Sequence, residues 1–209
     1  MAQKDVGNKI PIYKLKTTDE VMKYYDEWGV KNKYDQDMVD WNYTGPKETV
    51  ATFIKYAKDK NIKILDAGCG TGLVGVELKK YNYLNIDGMD LSKKLLDLVP
   101  KGYYQNLNQV DLNKSIKVKN DTYDAIMCVG TFTYGHVKPN ALDEFIRISK
   151  NKSLICFTIN EGIYEEYGFD KKIDELKKNK SWNVKEFFKS DYISSKDVNA
   201  WLCLAEVIK

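Results

Sequence analysis

Ile64-Leu65-Asp66-Ala67-Gly68-Cys69-Gly70-Thr71-Gly72 decides the reading of this chain. A short apolar strand runs into an acid, then into three glycines on alternate positions with Cys69 among them, then into a helical pattern. Glycine supplies the left-handed dihedrals of a tight strand-to-helix turn and lets backbone approach a ligand closely. A turn built for pyrophosphate has the spacing G-x-G-x-x-G, and a carboxylate among its amide donors would repel the phosphates. Here the spacing is D-x-G-x-G-x-G, with Asp66 ahead of Gly68, Gly70 and Gly72. An acid at that place suits a ligand carrying a free ammonium, which points to S-adenosylmethionine.

Three later segments supply contacts at matching offsets. Asn85-Ile86-Asp87-Gly88-Met89-Asp90-Leu91-Ser92 is a second strand ending in an acid, Asp90, which can accept from both ribose hydroxyls. Asp111, in Gln109-Val110-Asp111-Leu112, stands where a third strand ends. It can accept from the adenine amine while the Leu112 amide donates to the ring. Tyr123-Asp124-Ala125-Ile126-Met127-Cys128-Val129-Gly130 is a fourth strand, and its terminal backbone at Val129 and Gly130 would face the amino-acid part of the ligand. Asp124, at the start of that strand, reads as structural.

From Ile62 onward strands and helices alternate, with strands expected at 62–66, 84–89, 106–110, 123–129 and 153–159. Helices are expected near 73–81, 92–98, 140–149 and 170–178, and two β-like runs close the chain at 182–188 and 199–208. Such alternation implies an α/β fold, a mostly parallel sheet with helices on both faces and right-handed crossovers. Upstream, Thr17-Thr18-Asp19-Glu20 has the form of a capping box, with Val21, Tyr24, Tyr25 and Trp28 following at helical spacing. Gly45-Pro46 marks a further helix start, with Val50, Phe53, Ile54 and Ala57 behind it.

A chain of 209 residues fits one domain, read as 1–209 with a helical segment at 1–60 and an α/β core at 61–209. Hydrophobic content of 43% and charged content of 30% are ordinary for a soluble globular protein. No apolar run nears the roughly 18 residues that cross a bilayer, and Met1-Ala2-Gln3-Lys4-Asp5 is too polar for a secretory signal. Cys69, Cys128, Cys156 and Cys203 form no C-x-x-C pair, so they read as reduced, mostly buried thiols of a cytoplasmic protein with no zinc or other metal site. The net charge of +3 is made almost wholly with lysine, because Arg147 is the single arginine. Nucleic-acid readers favour arginine, and Lys171, Lys172, Lys177, Lys178 and Lys180 alternate with Asp174 and Glu175 as a solvated helix face does. Neither a nucleic-acid partner nor a membrane is expected, and nothing in the sequence specifies an oligomeric state.

Over roughly residues 20–170 the sequence resembles the class I S-adenosylmethionine-dependent methyltransferases. Within them it looks most like the Williams–Beuren syndrome region methyltransferase-like group. The closer match is carried by Tyr25-Asp26-Glu27-Trp28, Tyr34-Asp35-Gln36-Asp37, Tyr43-Thr44-Gly45-Pro46, the run from Leu65 to Gly75, and Val129-Gly130-Thr131-Phe132-Thr133-Tyr134-Gly135-His136-Val137. The resemblance implies a Rossmann-like, seven-stranded sheet whose closing hairpin makes the last strand antiparallel. It implies cofactor contacts by the motif residues and by amino-terminal tyrosines. The segment before Ile62, which holds nine aromatic residues, would fold over the cofactor as a lid. Tyr25, Tyr34 and Tyr43 would offer hydroxyls to the methionine carboxylate and rings to the sulfonium, while Tyr24, Trp28 and Phe53 read as packed apolar stripe. Two departures concern local geometry: Lys150-Asn151-Lys152-Ser153 lacks the Pro-Gly-Gly turn usual before the fifth strand, and the third strand, 106–110, is unusually polar.

Methyl transfer from a sulfonium is an in-line displacement, so holding acceptor, methyl and sulfur aligned away from water is the protein's main task. An acidic acceptor also needs a base. His136, the only histidine, follows the fourth strand and is the candidate, with turn capping as its structural alternative. Glu161, Tyr164 and Glu165 are further candidates for lining an acceptor pocket, with surface exposure as the alternative. The leading expectation is methyl transfer to a small-molecule acceptor. A nucleic-acid amino-methyltransferase would carry a D/N-P-P-Y-like run where Cys128-Val129-Gly130-Thr131 stands. A nicotinamide oxidoreductase, a protein methyltransferase and a non-catalytic cofactor-binding domain that regulates a partner also compete with it.

Overall fold

Alternation within the central strands divides their side chains between two covered faces. The computed structural model describes residues 9–15, 17–28 and 33–209, so the amino-terminal stretch read against a secretory signal lies outside the described residues. Seven strands form one sheet: β1 (Ile64–Ala67), β2 (Ile86–Asp90), β3 (Asn106–Gln109), β4 (Tyr123–Phe132), β5 (Ser149–Asn160), β6 (Trp182–Ile193) and β7 (Val198–Val207). Their order is β3-β2-β1-β4-β5-β7-β6. β1 to β5 pair in parallel, and β7 is antiparallel to both β5 and β6.

In β4, Ala125, Met127 and Val129 join one buried cluster while Ile126, Cys128 and Phe132 join the cluster on the other side. A strand covered on both faces reads as a continuous apolar run, as this one does. Helices α3 (Gly45–Phe53) and α4 (Leu73–Lys80) cover the first face through Val50, Phe53, Val74 and Leu78. Helices α6 (Ala141–Ile148) and α7 (Phe169–Lys178) cover the other through Leu142, Phe145, Ile148, Phe169 and Ile173. Each such side chain stabilises by about 1.5–3 kcal/mol on burial. α5 (Lys93–Leu98) starts at Ser92, whose hydroxyl accepts from Leu95 N at 3.2 Å.

The two departures seen in the sequence have local explanations. β3 is polar because it is the sheet's outer strand, exposed at all four residues. Before the body of β5, Lys152 takes φ +63°, and the β4–β5 register shifts between Tyr123 and Ala125. A non-glycine residue in the left-handed region thus sits at an irregularity within β5, where the resemblance implies a glycine turn.

The amino-terminal segment packs over one end of the sheet. In α1 (Thr18–Trp28) the capping box forms reciprocally, Glu20 N donating to Thr17 Oγ1 at 3.2 Å and Thr17 N to Glu20 Oε2 at 3.0 Å. α2 (Lys33–Asp40), which no periodicity marks in the sequence, buries only Met38 among its residues. Polar pairs brace its outer side, Lys33 to Asp37 at 2.7 Å and Gln36 to Asp40 at 2.8 Å. Its apolar face, Tyr34 and Met38 with Trp41 just beyond, is too short to mark a helix in the sequence. Trp28 and Met38 pack with Tyr192, Ile193, Val198 and Ala200 of β6 and β7, and Thr44 N donates to Tyr192 O at 3.0 Å. The order of strands reverses between β1 and β4, and in such sheets the ligand crevice lies beyond the strands' carboxyl ends at that place.

Candidate functional site

The turn after β1 is shaped by three positive-φ glycines, Gly68 at +79°, Gly70 at +54° and Gly72 at +91°, and each answers a different neighbour. A Cβ on Gly68 would stand 2.0 Å from Thr131 Oγ1. On Gly72 it would meet the Tyr104 ring at 3.1 Å, as it would on Gly75 at 2.5 Å and on Gly88 at 3.0 Å. Tyr104, from the segment before β3, therefore lies in a cradle of three glycines. On Gly70 a Cβ would meet nothing within 4 Å. Gly70 alone of the three faces open space.

That space opens into a crevice lined by Gly68 and Gly70 on one side and by Tyr25 and Tyr34 among its other walls. The structure brings eleven expected site residues to its walls: Tyr25, Tyr34, Gly68, Gly70, Asp90, Leu91, Asp111, Leu112, Val129, Gly130 and His136. Tyr43 and Cys69 line a narrow arm of the crevice with Thr71, Leu73 and Val74. Asp66 and Gly72 line neither. Gly72 faces Tyr104, and Asp66 is sealed beneath the turn at 0% exposure. The Tyr104 hydroxyl donates to Asp66 Oδ2 at 2.6 Å and accepts from Gly75 N at 3.0 Å, while Asp66 Oδ1 has no partner among the described residues. Burial, and then the nearby Asp90 charge, push the Asp66 carboxyl up to about 7 against the pull of the Tyr104 hydrogen bond. The structure thus places this acid beneath the turn, with a tyrosine distant in sequence over it.

Asp90 is held for the crevice by backbone. Its Oδ2 accepts from Gly70 N and its Oδ1 from Ser92 N, both at 2.8 Å. Burial raises its pKa and these amide bonds oppose the rise. Each oxygen keeps a further lone pair, which suits a carboxylate receiving a vicinal diol. Asp111 closes an Asx turn through Asn113 N at 3.0 Å and pairs with Lys114 at 3.2 Å. Gly130 N donates to Thr158 Oγ1 at 3.1 Å, fixing the end of β4.

His136 is bonded at both ring nitrogens: Nδ1 to Tyr134 O, and Nε2 to Tyr25 Oη at 2.9 Å. The carbonyl requires the proton on Nδ1, so Nε2 accepts from the tyrosine. Burial lowers the imidazole pKa to about 4, the Tyr134 bond opposing and Lys138 assisting, so the ring is neutral at pH 7. Tyr25, Tyr34 and Tyr43 are all shifted up by burial and stay protonated. With Tyr13, Trp28, Trp41 and Tyr192 they line an aromatic chamber that shares Tyr25, Tyr34 and Gly130 with the crevice. Trp28 stays packed against Tyr24 and Trp41, as expected of core stripe.

Glu161, Tyr164 and Glu165 lie elsewhere. Glu161 accepts from Asn199 N at 2.9 Å and pairs with Lys189 at 2.6 Å, Tyr164 packs on Trp201 at 5.2 Å, and Glu165 is exposed. Asp124 braces Lys63 N at 2.9 Å and Lys150 at 2.7 Å, a structural role. All four cysteines are buried and unpaired. Among the described residues no cluster of three His, Cys, Asp or Glu is placed to hold a metal ion, and no helix is long and apolar enough to cross a membrane.

Among the described residues the crevice thus carries two aspartates and no lysine or arginine on its walls. A pyrophosphate would face the Asp90 carboxylate there with no cation beside it among the described residues, whereas a nucleoside with a cationic sulfonium and an ammonium is attracted. The residues present fit S-adenosylmethionine. Comparison with known proteins agrees. Methyltransferase-like protein 27 of Homo sapiens is 32% identical over 141 residues, covering 66% of this chain and 56% of that protein. Malonyl-[acyl-carrier protein] O-methyltransferase of Halalkalibacterium halodurans is 38% identical over 85 residues, covering 37% and 31%. The chain therefore spans about half or less of these curated relatives' length. The structure of magnesium protoporphyrin IX methyltransferase from Synechocystis with bound SAM superposes with a TM-score of 0.67 at 14% identity, covering 90% of this chain and 96% of that one. The signature of the methyltransferase domain matches residues 39–203, a span that holds β1 to β6, most of β7 and most of the crevice wall, and the chain belongs to that family.

Proposed function

We propose that the chain transfers a methyl group from S-adenosylmethionine to a small-molecule acceptor, and that it falls in the Williams–Beuren-like group of class I methyltransferases. The observation that carries the reading is the crevice at the reversal of strand order, walled by aspartates and no lysine or arginine among the described residues, with Asp90 anchored by the Gly70 and Ser92 amides. When bound, the cofactor supplies a methyl on a positively charged sulfur. Asp90 would hold the ribose hydroxyls, Asp111 and the Leu112 amide the adenine, and Gly68, Gly70, Val129 and Gly130 the backbone side of the amino-acid tail, with Cys69 and Tyr43 along its arm. Tyr25 and Tyr34 form the opposing wall and exclude water.

His136 is proposed as the acceptor of a proton relayed through Tyr25, since its neutral Nε2 already receives that hydroxyl. Burial makes this imidazole a weak base, so the relay calls for an acceptor whose own proton is acidic. A small acceptor is favoured by the aromatic chamber, whose lining includes no charged side chain. The test has two parts. Adenosylhomocysteine should raise the melting temperature and NAD should not. Labelled methyl should then pass to a component of a fractionated metabolite extract. Cofactor binding without transfer to small molecules, but with labelling of a polypeptide, would replace the acceptor class.

A further inference from the structure

The arm of the crevice takes the cofactor's amino-acid tail if the proposed function holds, because Gly68, Gly70, Tyr34 and Val129 line both arm and crevice while Asp90 and Asp111 stand in the wider part. The tail brings an ammonium, yet among the described residues no charged side chain lines the arm. Burying that charge without a partner is costly. The motif acid does not meet the need, being closed off under Tyr104.

A different carboxylate stands behind the arm's wall. Asp35, in the first turn of α2, accepts a hydrogen bond from Thr71 Oγ1 at 2.6 Å. Thr71 is a residue of the glycine turn itself, 3% exposed, and it lines the arm. Asp35 is half-buried, and among the described residues no lysine or arginine pairs with it. Because Thr71 spends its single proton on Asp35, its oxygen is left as an acceptor for the arm. We infer that Thr71 Oγ1 receives the cofactor's ammonium and that Asp35, brought by the lid, supplies the opposing charge in place of Asp66. The consequence is selectivity: recognition of the amino-acid tail depends on the lid, while recognition of the nucleoside depends on the core.

The experiment compares adenosylhomocysteine with methylthioadenosine, which has the nucleoside and thioether but no amino-acid tail, by calorimetric titration. For wild type, both bind. Asp35→Asn and Thr71→Val should each weaken adenosylhomocysteine about tenfold or more, the range of a hydrogen bond to a charged group, and leave methylthioadenosine within about twofold. Thr71→Ser, which keeps the hydroxyl, should restore the tail's contribution. Retained methylthioadenosine binding also reports that each variant is folded. Equal loss of both ligands in Asp35→Asn, or loss of neither, overturns the assignment. Wild-type protein that binds neither ligand overturns instead the reading of the crevice on which it rests.

Discussion

Asp66 offers a test that needs no ligand. Its carboxyl is fully buried, accepts one bond from Tyr104 and leaves Oδ1 without a partner among the described residues, so the fold favours its protonated form, with a pKa moved from 3.8 to about 7. A raised folded-state pKa means that stability from this group is complete below the unfolded value and is lost as pH rises toward 7. A shift near three units corresponds to about 4 kcal/mol, accumulated between roughly pH 4 and 7 and constant above. Asp66→Asn removes the titration. The amide oxygen can still accept from Tyr104, but the new NH₂ would be buried at the unpartnered position, costing about 1–3 kcal/mol. The variant should therefore be less stable than wild type at pH 4.5 and equal to it or more stable at pH 8. Urea unfolding across that range, taken as wild type minus variant, isolates the group from every other titration. A difference that stays constant from pH 4.5 to 8 would show that the carboxyl is ionised in the fold and would refute the account of Tyr104 as its cover.

Gly68→Ala and Gly70→Ala should separate packing from ligand access. The first drives a Cβ into Thr131 and should cost several kcal/mol in urea unfolding, while the second carries mainly backbone strain of about 1–2 kcal/mol and should block adenosylhomocysteine. Cofactor at a hundredfold over its dissociation constant should stabilise the protein by about 2.7 kcal/mol, and Asp90→Ala should abolish most of that gain; an unchanged gain removes the ribose assignment. His136 has a folded pKa near 4 against an ordinary 6.5, so it is neutral in the fold while the unfolded chain takes up a proton. Stability should then fall as pH drops from 6.5 toward 4, by up to about 3 kcal/mol, and His136→Gln should flatten that slope. Once an acceptor is found, His136→Gln with normal cofactor affinity and lost turnover supports proton transfer, while near-normal turnover excludes it.

What the sequence made legible was local. β1 with its glycine turn, Asp90 two residues before a helix cap, and Asp111 at the end of a strand are each encoded within ten residues, and all lie where the pattern placed them or within two positions. What escaped came from pairings distant in sequence. Tyr104 reaches Asp66 across 38 residues, and Tyr192 meets Tyr43 across 149. The spacing D-x-G-x-G-x-G reads as three glycines facing a ligand, whereas two of them make room for Thr131 and Tyr104. A motif records that a side chain must be absent and does not say what occupies the room. α2 escaped for a different reason, since its apolar face is only Tyr34 and Met38 with Trp41 just beyond, too short a repeat to stand out among polar i,i+4 pairs.

The two kinds of contact that hold the amino-terminal segment, the proposed lid, have different strengths, and their placement bears on how ligands would exchange. Away from the crevice, Trp28 and Met38 are buried against Tyr192 and Ile193, contacts worth about 1.5–3 kcal/mol per side chain. At the crevice rim the lid is held by polar links: Tyr25 to His136 at 2.9 Å, Asp35 to Thr71 at 2.6 Å, and Asp26 to Lys94 at 3.4 Å. Such bonds contribute about 0.5–1.5 kcal/mol each, the exposed ion pair less, because water replaces them when they break. Opening on the rim side therefore costs less than lifting the aromatic anchor, which makes the anchor the hinge. On that reasoning Tyr25→Phe, which leaves the apolar packing intact, should speed release of adenosylhomocysteine in stopped-flow displacement while changing global stability by about 1 kcal/mol. Slower or unchanged release would place the hinge at the rim instead.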